Sequence, residues 1–279
     1  MRKVLNNIEV VGATMVYQER ETCRWSIDWL IDFCDRVIIL LDNYDKETEA
    51  IVLDYKKKYP KKIYIRYSTH PIENWRNVGS GIKQRLKKYQ QYIREQVVKE
   101  LKKMHDEKPI DLLIWPDSDE TFLDCFTEYL ERFWHEQTAH SYMMLGFVEV
   151  YDDFKKIISQ RMGPHGRVFR YVPEFSCIPR RSRTVQNPYY GTKPWKIRPM
   201  VLHMCNFSKV SRDSRERVTG RNMMNEMLQP REIWLLDKDV RTMFPEELGK
   251  YMYSPKGAKP EIKGILLEDY LKKPKDEIK

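Results

Sequence analysis

Residues 112–120 read LLIWPDSDE, an apolar run that leads directly into three carboxylates. A short apolar run of this kind predicts a buried strand, and the carboxylates then lie where that strand ends. Amphipathic stretches separate it from earlier apolar runs, and together these runs predict strands at residues 8–16, 36–41, 62–66 and 111–115. The intervening stretches predict helices at residues 21–33, 46–59 and 82–104. This alternation predicts an α/β fold with a mostly parallel central sheet flanked by helices.

After residue 120 the alternation gives way to an α+β region. The pattern there predicts helices at residues 122–133 and 211–228, and strands at residues 141–151, 155–160, 167–171 and 197–204. The chain therefore divides into residues 1–120, residues 121–254 and a Lys/Pro-rich tail at residues 255–279. We expect the first two parts to be halves of one domain.

Composition excludes several classes of protein. In 279 residues, 41% are hydrophobic, which is too many for a disordered chain. The five cysteines form no CxxC pair, which argues against a zinc ribbon or a disulfide framework and favours reduced thiols. We find no signal peptide and no apolar stretch long enough to span a membrane, so we expect a cytoplasmic protein, in the host cytoplasm if it is viral.

The positive charge is concentrated in one segment. The chain carries a net charge of +9, and residues 161–221, the basic segment, contain fourteen Lys and Arg against three acids. Aromatic residues are interleaved with these charges. Arginine and aromatic side chains suit phosphates and bases, so the segment predicts a polynucleotide or a nucleotide diphosphate as its partner. An Arg-rich surface loop that balances acidic surface elsewhere explains the same charges about equally well.

Three strand ends carry side chains that could bind a ligand. Asp117, Asp119 and Glu120 offer the oxygen ligands that Mg²⁺ or Mn²⁺ prefers, although acidic residues also stabilise helix N-termini. Asp42 follows the second strand, where a carboxylate can accept hydrogen bonds from a ribose or base, but where Asp also commonly begins a turn. His203 ends the apolar run 200–204 and fits either a core residue or a metal ligand.

Four short motifs, taken together, resemble the family 2-type glycosyltransferases of the GT-A fold. Residues 14–20 (TMVYQER) resemble the first strand and "xxNE" loop of that family, and residues 34–48 are similar to its stretch "vDeiiivDngStDgT". Residues 117–120 (DSDE) resemble its "DaDE", and residues 167–170 (RVFR) its acceptor-side "RlFr". The resemblance covers residues 8–220. It departs from the family at residues 74–77 (NWRN), where Arg-Asn is usual, and in the long helix before Asp111.

The resemblance implies a set of site residues. Asp119 and His203 would hold Mn²⁺ or Mg²⁺. The nucleotide diphosphate sugar, most simply a UDP-sugar, would bind at Gln18, Glu19, Asp42, Asp117, Ser118, Arg212 and Arg215. The family's base motif has no clear counterpart, so Glu149 and Asp152, at a predicted strand end, are candidate bases. The acceptor would contact Arg167, Arg170, Arg181, Tyr190 and Trp195.

These residues predict an enzyme that transfers a sugar to an acceptor hydroxyl. Residues 1–120 would form its nucleotide-sugar half, and residues 121–254 its acceptor half. The basic segment favours a hydroxymethylated base in DNA as the acceptor, as in the viral DNA-modifying glucosyltransferases. Three alternatives remain open. They are glycosylation of surface polysaccharide or protein, a haloacid-dehalogenase-like phosphatase with Asp117 as its nucleophile, and a non-catalytic nucleic-acid-binding protein.

Overall fold

The computed structural model describes residues 5–42, 44–68, 82–158, 165–177, 185–186, 194–206, 232–251, 264–266 and 269. In its first half strands and helices alternate as predicted, with ends that differ by at most three residues. The elements are β1 (Val10–Val16), α1 (Thr22–Phe33), β2 (Arg36–Leu41), α2 (Lys46–Lys58), β3 (Ile63–Tyr67), α3 (Ile82–Glu107) and β4 (Leu112–Ile114).

The second half is a mixture of strands and short helices. It comprises β5 (Glu120–Phe122), α4 (Phe126–His135), β6 (Tyr142–Tyr151), β7 (Asp153–Ile158), β8 (His165–Arg170), β9 (Ser176–Cys177), β10 (Val185–Gln186), β11 (Trp195–Asn206), β12 (Glu232–Leu235), a 3-10 turn (Val240–Thr242), α5 (Pro245–Gly249) and β13 (Ile265–Leu266). The prediction of a helix from residue 122 was wrong at its start, because Phe122 is a strand residue that pairs with Val201 of β11. The helix predicted at 211–228 lies outside the described residues.

One sheet joins strands from both halves, in the order β13-β12-β7-β6-β8-β4-β1-β2-β3, while β11 pairs with β6 and β5. Strands β3, β2, β1 and β4 are parallel neighbours, and β11 is parallel to β6. The other pairings are antiparallel, yet seven of the eleven described strands of this sheet run in the same direction. The predicted α/β class, with a mostly parallel central sheet flanked by helices, is confirmed.

Helices cover both faces of the sheet. Because side chains alternate along a strand, Ile39 of β2 packs in the core beneath α1, α2 and α4, whereas its neighbours Ile38 and Leu40 pack beneath α3. Full burial of one such side chain contributes about 2 kcal/mol. No helix among the described residues is long and apolar enough to cross a lipid bilayer.

The two edges of the sheet differ. The carboxyl ends of β1, β2 and β4 meet at one edge, which we call the ligand edge because ligands of open α/β sheets collect there. At the opposite edge, buried Arg36 pairs with Glu9 at 2.6 Å and donates to the carbonyls of Met104 and Lys108, at 2.9 and 2.8 Å. These last two bonds cap the C-terminus of α3 and fix that helix on the sheet.

Candidate functional site

The acidic loop, residues 117–120, follows β4 at the ligand edge and alternates open and buried side chains. Asp117 and Asp119 are 36% and 19% exposed, whereas Ser118 and Glu120 are buried. The amide of Glu120 donates to the carbonyl of Asp117 at 3.1 Å, which closes the loop into a tight turn. Two carboxylates therefore face the outside, and two polar side chains anchor the loop from within.

Asp119 contacts His203, which lies 84 residues further along the chain. The Asp119 Oδ2 to His203 Nε2 distance is 3.2 Å, and the amide of Met204 donates to the carbonyl of Asp119 at 2.6 Å. The cause is strand pairing, since β11 lies antiparallel to β5 with His203 opposite Glu120. The structure thus brings the two predicted metal ligands together.

The donor set of this pair fits a cation that shares its ligands with a substrate. Among the described residues, no group of three or more His, Cys, Asp or Glu side chains is placed to hold a metal ion. Asp119 and His203 offer one oxygen and one nitrogen. Mg²⁺ and Mn²⁺ commonly take one or two protein ligands and complete their coordination with water and substrate phosphates. The pair therefore suits an open site rather than a closed structural one.

Arg167 of β8 supports the acidic loop from beneath. Its Nε and Nη2 donate to the two carboxylate oxygens of Glu120 at 2.6 and 2.5 Å, and its Nη2 also donates to Asp117 Oδ2 at 2.7 Å. The guanidinium lies 5.4 Å from the ring centre of Phe147, and Arg167 is only 5% exposed. The described donors of Arg167 are thus bound to the acidic loop, and an acceptor contact by this residue stays a prediction.

This cluster sets the charges of the loop. Loss of hydration raises the pKa of Asp117, but Arg167 and then Arg94 outweigh it, so the pKa is lowered and Asp117 is ionised. Burial raises the pKa of Glu120 to about 7 in spite of Arg167. Burial also acts to lower the pKa of Arg167, but the neighbouring carboxylates of Asp117 and Glu120 raise it overall, so this guanidinium stays charged.

Glu19 ties the loop between β1 and α1 to the acidic loop. Its Oε2 accepts hydrogen bonds from the amide of Tyr17, at 3.0 Å, and from the hydroxyl of Ser118. Burial and the nearby Asp119 raise the pKa of Glu19 to about 8. Gln18 is half-buried in the same loop. Glu19 and Ser118, both predicted from sequence, are therefore in direct contact.

Asp42 lies at the carboxyl end of β2 and is fully buried. Its amide donates to the carbonyl of Val16 at 2.9 Å, which holds it beside the end of β1. Burial and then the Asp42 carboxylate raise the pKa of Tyr17 well above its usual value, and Glu19 and Asp117 add to this effect. Tyr17 is therefore neutral and lies close to all three carboxylates.

Arg94 of α3 is a site residue that the sequence reasoning missed. It is 7% exposed, and its Nη2 lies 3.7 Å from Asp117 Oδ1. A charged residue in a long amphipathic helix is normally assigned to the solvated face. The residue that indicates an inward-facing position for Arg94 is Val98, one turn further along the helix. Val98 is also buried, so this side of α3 faces the sheet.

The two candidate bases have different surroundings. Glu149 on β6 is 1% exposed and lies opposite His203 in the parallel pairing of β6 with β11. Residues paired in this way point to the same face, on strands about 4.8 Å apart. Asp152 follows β6 in a left-handed conformation with φ of 65°, and its carboxylate pairs with Lys156 at 3.2 Å. Glu149 thus lies beside His203 on the same face of the sheet. The described contact of Asp152 is with Lys156 of β7.

Two predicted acceptor residues, Arg170 and Trp195, lie at the edge of the sheet opposite the ligand edge, and their acceptor role stays a prediction. Arg170 is opposite Leu112 at the start of β4, and its guanidinium donates to the carbonyls of Phe133, Trp134 and His140 around the end of α4. Trp195 begins β11, about 26 Å along the strand from His203, and stacks on Phe133. The other predicted contacts, Arg181, Tyr190, Arg212 and Arg215, lie outside the described residues.

Comparison with known proteins gives distant likenesses only. No protein-family model and no curated protein matches the sequence. Among solved structures, S. aureus TarS 1-349 shares 10% identity, with 80% of this chain and 67% of that chain covered and a TM-score of 0.42. A longer TarS structure gives a TM-score of 0.41 at 10% identity over 77% of this chain, which spans only 40% of TarS. A structure assigned to a Bacillus anthracis glucose-1-phosphate thymidylyltransferase gives a TM-score of 0.31 at 10% identity, with 55% of this chain and 60% of that chain covered.

Proposed function

We propose that this protein is a metal-dependent glycosyltransferase that moves a sugar from a nucleotide diphosphate sugar to an acceptor hydroxyl. The observation that carries the proposal is the 3.2 Å contact between Asp119 and His203 at the ligand edge. These residues are far apart in sequence, and the GT-A resemblance predicts both as metal ligands. Mn²⁺ or Mg²⁺, when bound there, supplies positive charge that neutralises the departing diphosphate.

The other residues of the ligand edge suit the donor. Asp117, which is partly exposed, provides a carboxylate acceptor for the hydroxyls of a nucleoside. We assign buried Asp42 to the nucleoside on the sequence argument alone, and UDP-sugars are the first donors to test. Glu19 and Ser118 hold the two loops that surround this position. Gln18 lies in the first of these loops, and we assign Arg212 and Arg215 to the diphosphate on the sequence argument alone.

For the proton transfer we propose Glu149. A base must lie within hydrogen-bond reach of the acceptor hydroxyl, and Glu149 is on the strand next to His203. In an inverting transfer, the Glu149 carboxylate takes the proton of the acceptor hydroxyl as that oxygen attacks the anomeric carbon and the diphosphate leaves. Asp152 is the weaker candidate, because it is 52% exposed and paired with Lys156.

The acceptor is proposed on charge alone. The basic segment favours a hydroxymethylated base in DNA, and residues 121–254 would form the acceptor half beside the nucleotide-sugar half, residues 1–120. Most of this segment lies outside the described residues, and the acceptor contacts of Arg167, Arg170 and Trp195 are proposed on the sequence argument alone. Surface-polysaccharide or protein glycosylation is the competing assignment, in which the same charges bind only donor phosphates or lipid head groups.

Two other assignments are weaker. A haloacid-dehalogenase-like phosphatase would need Asp117 as a nucleophile after the first strand of its fold. Asp117 instead follows the fourth strand along the chain, and its Oδ2 accepts a hydrogen bond from Arg167. A non-catalytic nucleic-acid-binding protein gives no reason for the Asp119–His203 contact. Release of phosphate from a generic phosphoester, without any nucleotide sugar, would revive the phosphatase.

The test is a screen of nucleotide sugars for hydrolysis with Mn²⁺, Mg²⁺ or excess EDTA. We expect one donor to be hydrolysed slowly with metal and not with EDTA. Hydroxymethylated DNA and unmodified DNA are then offered as acceptors at low and high salt. Transfer to the hydroxymethylated DNA only, weakening steeply with salt, supports the DNA acceptor. Failure to hydrolyse or bind any nucleotide sugar would refute the proposed function.

A further inference from the structure

The buried guanidinium of Arg94 is placed beside the carboxylates of the ligand edge. It projects from the middle of α3, a helix that crosses the face of the sheet opposite α1. A buried charge is unfavourable unless other charges compensate it. The described ion-pair partner of Arg94 is Asp117 in the acidic loop, with 3.7 Å between Arg94 Nη2 and Asp117 Oδ1.

Asp117 lies between two guanidiniums that contact its two oxygens differently. Arg167 donates to Oδ2 at 2.7 Å, a full hydrogen bond. Arg94 lies 3.7 Å from Oδ1, which is too long for a hydrogen bond but close enough for an ion pair. The Asp117 side chain is also 36% exposed. Oδ1 therefore lies next to a positive charge, and the Asp117 side chain keeps surface that a ligand can reach.

The attachment of α3 to the sheet does not explain Arg94. At its C-terminal end the helix is fixed by Arg36, and along its length by an apolar stripe that includes Val97 and Leu101. Glu100 adds an ion pair with Arg66 of β3 at 2.8 Å. An apolar residue at position 94 would extend the stripe with less cost of desolvation.

We propose that Arg94 is a positioning residue that holds Oδ1 of Asp117 toward the nucleoside part of a nucleoside diphosphate. The inference rests on the proposed function and adds to it a residue of α3 that helps to bind the nucleoside. This long helix is one of the two places where the sequence departs from the glycosyltransferase family it resembles. Arg94 acts through Asp117 and with it sets the affinity for the nucleoside, whereas Asp119 and His203 act on the diphosphate.

Titration calorimetry on the full chain with Mn²⁺ tests this, with UDP as the first probe, then GDP, ADP and dTDP, and with pyrophosphate as the probe that lacks a nucleoside. The variants are R94M and R94K, and K99M is the matched control because Lys99 is an exposed cation on the same helix. We expect R94M to weaken nucleoside diphosphate binding about tenfold or more while pyrophosphate binding changes less than about twofold. R94K should restore part of the loss, and K99M should bind like the wild type.

A double-mutant cycle with D117N separates positioning from a structural role. If Arg94 acts through Asp117, R94M should weaken nucleoside diphosphate binding by less than about twofold in the D117N background. Equal loss of nucleoside diphosphate and pyrophosphate, or an undiminished effect of R94M in the D117N background, would overturn the inference. If R94M does not fold, the same comparison is made with R94K, which keeps the charge but loses the planar fork. Wild-type protein that binds no nucleoside diphosphate would instead refute the proposed function itself.

Discussion

Replacing Arg167 by Met tests whether a buried ion cluster supports the acidic loop. Methionine fills similar space without charge or hydrogen-bond donors. The substitution R167M removes the bonds to Glu120 at 2.6 and 2.5 Å and the bond to Asp117 at 2.7 Å. Glu120 is 2% exposed, so water cannot replace the lost donors. The consequence should appear in the free energy of unfolding.

The expected size follows from burial. Removing one partner of a buried ion pair costs about 3–5 kcal/mol, because the other charge is left buried. Because burial raises the pKa of Glu120 to about 7, the Glu120 part applies in full when unfolding is measured at about pH 8. Asp117 is 36% exposed and can regain water. We therefore expect R167M to lose about 3–4 kcal/mol. The double variant R167M/E120L replaces both charges by apolar groups and should recover most of that loss, since well-packed apolar pairs often match buried ion pairs.

Urea unfolding followed by tryptophan fluorescence and far-ultraviolet circular dichroism measures these values. The matched control is R132M, the same substitution in an exposed ion pair with Glu136, which should cost less than about 0.5 kcal/mol. A loss below about 1 kcal/mol for R167M, or a double variant less stable than R167M alone, would refute the reasoning.

Two further predictions concern α2 and the proposed base. Asp45 caps α2 through Thr48, whose amide donates to Oδ1 at 2.8 Å, so D45A should lose about 1 kcal/mol of unfolding free energy at pH 7. Burial raises the pKa of Asp45, but hydrogen bonds from Thr48 and Arg20 lower it overall, so the charge stabilises the fold above about pH 4. The difference in unfolding free energy between wild type and D45N should therefore vanish as pH falls through the pKa of Asp45 in the folded protein. A difference that persists in acid would contradict this, and so would an equal difference between wild type and the control D54N. E149Q should abolish sugar transfer but leave nucleoside diphosphate affinity unchanged by calorimetry, and retained transfer would exclude Glu149 as the base.

Local pattern was sufficient to predict the first half of the fold. Strand β2 was predicted at its exact bounds, because 36–41 is a continuous apolar run after its first residue and is followed by turn residues. The resemblance named Asp119 and His203 as metal ligands, and the structure places the two side chains 3.2 Å apart, while metal binding by them stays a prediction. What the pattern could not supply is strand order, which depends on contacts between segments far apart along the chain.

Strand order explains why the positions of Arg167 and Arg170 in the sheet could not be predicted. The notable feature of residues 161–221 is charge, which favours a surface role. In the structure, β8 lies antiparallel to β4, so Arg167 is placed beneath the acidic loop and Arg170 at the opposite edge. Buried Val168 and Phe169 indicate a strand covered on both faces, where an Arg must find partners inside. That signal is available in the sequence but does not identify the partners.

The most direct test of the account is metal-dependent turnover of a nucleotide sugar by D119A and H203A, each compared with wild type and with K99M. We predict that both variants stay folded by circular dichroism and lose at least about 100-fold in turnover at saturating Mn²⁺, because the charge on the leaving diphosphate is no longer neutralised. K99M should turn over at the wild-type rate. Unchanged turnover in a folded D119A protein would contradict the assignment of this site.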